Sequence, residues 1–153
     1  MRARSFAAAA ALAGSVVGLS ASIAGAEAPT PVVINAHPCT FGPPAEVGIW
    51  EASGAINDSG TFVRTDVAVS PPDRPMFSPG PFREEFAFTG LLGTFTVKAE
   101  ELARDSGGKG VWQIKSGTGA YEATSGHGDT AFTFVPTPCG STFALTGIAS
   151  KVG

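Results

Sequence analysis

The sequence predicts an all-β protein: an antiparallel barrel of about eight strands with an N-terminal proline-rich arm. Three observations carry that expectation. Short segments alternate between apolar and polar residues, and a period of two places successive side chains on opposite faces of a strand. Beyond the N-terminal run no segment repeats its apolar residues at the helical interval. Glycines punctuate the segments, as in Gly107 to Phe134, where strand patterns alternate with corners at Gly117/Gly119 and Gly126/Gly128. Glycine reaches positive φ in tight turns and lets backbones approach closely where a barrel bends. A closed barrel is favoured over a sandwich, and one of about eight strands either fills itself with side chains or holds one small ligand.

The chain begins with Arg2 and Arg4, an Ala-, Val- and Leu-rich run from Phe6 to Ile23, and Ala24-Gly25-Ala26. A basic start, an apolar core and a small-x-small site read as a secretory signal peptide over residues 1–26, cleaved after Ala26. A membrane anchor is the alternative, but prolines follow the run, and no later segment approaches the roughly 20 apolar residues of a membrane span. Removing 26 of the 153 residues leaves 127, enough for one domain with its own core. It removes two arginines and no acid, so the formal net charge moves from −3 to −5. That balance offers no basic footprint for nucleic acid or for anionic membranes and suits solubility outside the cell.

Cys39 and Cys139 are the two cysteines of the chain, each beside a proline and near opposite ends of the mature sequence. In a secreted protein the simplest reading is one disulfide tying the first strand to the last. The alternative is a metal site drawing also on His37 and His127, but no C-x-x-C or H-x-x-x-H spacing prepares it, and no metal or other cofactor is expected.

The segments follow in order. Residues 27–45 are proline-rich, with Val32 to Ile34 as one short extended piece, and read as an arm or edge strand ahead of a barrel domain at 46–153. Val47 to Ile56 and Thr61 to Ser70 read as two strands around Asn57-Asp58-Ser59-Gly60, a turn composition. In the second, Val63, Thr65, Val67 and Val69 share one face, and Arg64 and Asp66 the other. Pro71 to Pro81 is a loop whose Met76 and Phe77 could cover an opening or pin the loop to the wall. Phe82 to Thr89 and Thr94 to Glu101 pair across Gly90 to Gly93. Asp105 to Gly110 is a polar loop into Val111 to Ser116, and Thr142 to Ser150 is the last strand.

Candidate site residues come from this alternation. Phe82, Glu84, Phe86 and Phe88 share a face, so Glu84 is a carboxylate among aromatics. If that face is the interior, burial raises its pKa and makes it a candidate general acid or base; if a bulge shifts the register, it is a rim charge. Tyr121, the single tyrosine, is either a proton donor or a barrel-corner anchor. Trp50, Phe86, Phe88, Trp112 and Phe132 are the candidate lining of a lumen for a small apolar ligand. His127, between Gly126 and Gly128, reads as a turn residue. No G-x-S-x-G or G-x-G-x-x-G strand-to-helix turn is present. Phenylalanines on an outward face would imply self-association into a homo-oligomer.

The order Gly48-x-Trp50-x-x-x-Gly54, Gly93-Thr94-Phe95, Ser116-Gly117-Thr118-Gly119-Ala120-Tyr121 and Gly126-x-Gly128 resembles the allene oxide cyclase barrel-like group, which includes dirigent proteins and small secreted bacterial barrels. Gly48-Ile49-Trp50 is also similar to the G-x-W of lipocalins and avidin-type barrels, the calycin-like rival. The first resemblance implies an eight-stranded barrel holding an apolar molecule, with any activity being cofactor-independent isomerisation or cyclisation. On that reading Glu84 and Tyr121 are the acid and base, and no residue is carried over from the group's catalytic sets. A filled barrel acting through its surface is the remaining alternative.

Overall fold

The computed structural model describes residues 28–40, 46–75 and 78–150. The proposed signal peptide and the loop residues Met76 and Phe77 lie outside the described residues. Eight strands form a closed antiparallel barrel in which every strand pairs with its sequence neighbours and the first with the last. They are β1 (Thr30–Pro38), β2 (Val47–Gly54), β3 (Ser59–Val69), β4 (Gly80–Gly90), β5 (Thr94–Arg104), β6 (Gly107–Gly117), β7 (Gly126–Thr133) and β8 (Thr142–Ala149). A 3-10 turn, Gly119–Tyr121, stands between β6 and β7.

Two parts of the sequence reading are corrected here. The proline-rich stretch read as an arm or edge strand supplies β1, hydrogen-bonded to β2 on one side and β8 on the other. Its prolines fall near the strand ends, Pro31 and Pro38, so residues 32–37 keep every backbone N–H for the ladders. The second correction concerns β3. A bulge between Arg64 and Asp66 inserts Thr65 without a partner, and the faces exchange there. Arg64 opposes Phe86 and Val67 opposes Glu84, so Phe62, Arg64 and Val67 all lie on the lumen side. Two smaller differences follow from strands running further than their pattern. β5 and β6 extend to a tight turn at Asp105-Ser106, and His127 is a strand residue opposite Gln113 and Ile148.

The Phe82, Glu84, Phe86 and Phe88 face is the interior, as are Phe95, Val97, Ala99 and Glu101 on β5. Large interior rings rest on strands that carry glycine. Trp50 is in register with Gly60, and Gly60 with Gly90. With no side chain on either, the indole lies across both, and its N–H donates to the carbonyls of Thr61 and Thr89, each at 3.1 Å. A Cβ on Gly90 would sit 2.9 Å from the indole and 2.2 Å from the Asp58 carboxylate, so this position needs glycine.

One end of the barrel is filled. Trp50, Phe88, Phe95 and Tyr121 form a ring cluster there: Phe88 and Phe95 stack at 5.0 Å, Trp50 meets both edge-on, and Tyr121 lies 4.9 Å from Phe95. Such rings contribute burial plus roughly 0.5–1.5 kcal/mol per well-oriented pair. Asp58 seals this end. It accepts the Tyr121 hydroxyl at 2.7 Å and the backbone N–H groups of Ser59, Leu91 and Leu92. At the opposite end Cys39, just past β1, is bonded to Cys139 in the β7–β8 loop across a separation of 100 residues. No helix among the described residues is long and apolar enough to cross a membrane.

Candidate functional site

The disulfide end of the barrel is open. A cavity of about 350 Å³ enters the lumen between the end of β3, the start of β4, the β5–β6 turn and the β7–β8 loop. Its walls are aromatic because the strands that reach this end carry phenylalanine in the inward phase: Phe62, Phe82, Phe86, Phe132 and Phe143. Phe82 and Phe132 meet edge-on at 5.7 Å, and Phe86 packs 5.0 Å from Phe143. Phe86 in turn touches Phe88, so the cavity ends where the filled half begins.

Set into this apolar wall is a group of charges. Nη1 of Arg64 lies 2.9 Å from Oε2 of Glu46 and 2.9 Å from Oε2 of Glu84. All three side chains are about nine-tenths buried. Arg64 points inward two residues after Phe62, just before the β3 bulge, and its backbone N–H donates to the carbonyl of Glu46, which fixes the residue just before β2 beside it. Behind Glu84 lies a third carboxyl, Glu101 on β5. Glu101 opposes Gly110 of β6, and Gly110 opposes Thr130 of β7. Over that glycine the Thr130 hydroxyl donates to Oε1 of Glu101.

Three acids and one guanidinium in a dry wall perturb one another. Burial raises the Glu84 carboxyl to about 8, with the Glu101 charge adding to the rise and Arg64 opposing it. Burial raises Glu101 to about 7, against the bond from Thr130. Burial also lifts Glu46, and Arg64 pulls it back. Oε2 of Glu101 is buried and faces no donor of the protein while both acids are ionised. Glu84 and Glu101 are thus both held above the ordinary carboxylate range and take up a proton more readily than a free acid does. A carboxyl so raised can donate a hydrogen bond when protonated, and the Glu46 oxygens beside Arg64 can accept one.

The candidate residues thus fall into two groups. Glu84, Phe86 and Phe132 line the cavity. Tyr121, Trp50 and Phe88 belong to the filled end, and Trp112 is buried in the wall with its N–H on the Thr146 carbonyl. Tyr121 is separated from Glu84 by the Phe86–Phe88 layer and is occupied as a corner anchor. Burial and the neighbouring Asp58 hold its hydroxyl above the ordinary tyrosine value, so it stays protonated. Glu46, Arg64 and Glu101 complete the site without having been singled out in the sequence. Glu101 carried a usable signal, because it continues the Phe95, Val97, Ala99 phase. Among the described residues no group of three or more His, Cys, Asp or Glu side chains is arranged to hold a metal ion. No family model, no curated protein and no solved structure matches the chain.

Proposed function

We propose that the chain is a secreted barrel protein that binds one small, largely apolar molecule in its lumen. The observation that supports this reading is the phenylalanine-walled cavity, open at one end only and of the size small-ligand sites have, with a few polar groups converging on it. The test is native mass spectrometry of the protein recovered from the medium of its own host, followed by organic extraction. A stoichiometric apolar mass is expected. An empty lumen that also takes up no hydrophobic fluorescent probe counts against the reading.

A second reading is favoured by one specific observation, two buried carboxyls, Glu46 and Glu84, lining the same cavity. It makes the protein a cofactor-independent isomerase or cyclase of the allene oxide cyclase-like type. In that reaction neutral Glu84 gives a proton to one atom of the substrate and Glu46 takes one from another, with no net change in composition. Arg64 positions both carboxyls. Tyr121 has no part in it. The molecules extracted from the wild type and from Glu84→Gln distinguish the readings: one compound from both supports binding alone, and an isomeric precursor held by the variant supports turnover.

A further inference from the structure

We propose that the molecule held in the lumen is an organic cation, an apolar body with a protonated amine seated against the carboxylates of Glu46 and Glu84. The inference rests on the reading of the cavity as a ligand site and names the ligand's chemistry.

The charges of the cavity wall do not balance. Among the described residues Glu46 and Glu84 line the cavity, with Glu101 behind Glu84 and outside the lining, and Arg64 lies between Glu46 and Glu84 with one nitrogen shared by two carboxylate oxygens. At the rim Arg104 and Asp105 offset each other. On β7 the facing polar group is the Thr130 hydroxyl, already donated to Glu101. Behind Glu84 the buried Oε2 of Glu101 faces no protein donor while the carboxyls are ionised, so the acids outnumber the donors that meet them. A proton meets that shortage in the free protein. An ammonium meets it better, because it brings a full charge and three donors into a site of low dielectric. The phenylalanine faces around it attract a cation through the ring quadrupole and hold a hydrocarbon through apolar burial. The described carboxylates are not arranged for a metal ion, and a hydrocarbon body fills the apolar remainder of the cavity. A fatty-acid head would instead meet two carboxylates whose guanidinium is already engaged.

Binding of the ammonium competes with protonation of Glu84 and Glu101, so affinity rises with pH until the pair is ionised. The test uses three probes of one shape, decylamine, 1-decanol and decanoate, titrated calorimetrically into the full mature chain at pH 7.5. Decylamine is expected to bind about tenfold or more tighter than 1-decanol, and decanoate weakest. The Glu46→Gln, Glu84→Gln double variant brings the amine-to-alcohol ratio toward one. On the wild type alone, decylamine affinity rises between pH 6 and 8.5 and its binding enthalpy depends on the buffer's own ionisation enthalpy, while 1-decanol shows neither effect. Alcohol binding equal to or tighter than amine, or an amine affinity flat with pH, overturns the proposal and leaves the lumen reading standing. No binding by any of the three overturns both.

Discussion

The Arg64 guanidinium and the Glu84 carboxylate, on adjacent strands, are 2.9 Å apart inside a barrel otherwise lined with phenylalanine at that level. Arg64 points inward in phase with Phe62, and the extra residue Thr65 after it brings Val67 to the same side. Burying such a pair is costly, and breaking it is costlier, because the partner is left charged in a low dielectric.

Arg64→Met therefore destabilises the fold by about 3–5 kcal/mol, since it removes the cation paired with Glu46 and Glu84 and leaves Glu84 to take up a proton. Adding Glu46→Gln and Glu84→Gln to the same chain recovers most of that loss. Urea denaturation of the single and triple variants reads both.

Stability falls as pH rises from about 5 to about 8.5. The folded-state values of Glu84 and Glu101 lie above those of the unfolded chain, so between them the native state binds more protons. Their contribution is fully present below the unfolded value and is lost as pH passes through about 7 and about 8. One proton of difference corresponds to about 1.4 kcal/mol per pH unit. Asp58 acts in the opposite sense: burial works against it, but the Tyr121 hydroxyl and three backbone N–H groups hold it below the ordinary range, so its contribution is lost only under acid conditions. Thermal melts across pH show the fall in wild type and a flatter profile in Glu84→Gln.

Tyr121→Phe costs about 1–2 kcal/mol by removing the donor to Asp58, which keeps its three backbone donors. It leaves lumenal uptake unchanged, because the residue lies at the filled end. Thermal stability and probe titration on one sample separate the two effects.

Replacing Cys39 and Cys139 by serine destabilises the protein by about 4–5 kcal/mol through the restored freedom of a 100-residue loop. Equilibrium unfolding of the serine variant against wild type, with no reductant, gives the difference.

The barrel was legible because period two and glycine spacing point the same way, and the shared face of Phe82, Glu84, Phe86 and Phe88 was legible from its phase, though alternation alone did not say that it points inward. What the pattern could not carry was the β3 bulge: Val63, Thr65, Val67 and Val69 alternate without a break, so an inserted residue leaves no trace, and residues on opposite faces are grouped together. β1 was hidden by its prolines, whose positions at the strand ends emerge only once both partners are known. The cysteine pair was readable from count and spacing. The separation of Tyr121 from Glu84 was not, since alternation assigns a face but does not say at which end of the barrel a side chain lies.

Aromatic-side-chain NMR during titration with 1-decanol tests most directly that one half of the barrel is a ligand cavity and the other a plug. The account predicts saturable shifts at Phe82, Phe86, Phe132 and Phe143, with Trp50, Phe95 and Tyr121 unmoved. Shifts confined to the outer wall, or spread over Trp50 and Tyr121 as strongly as over Phe86, would contradict it.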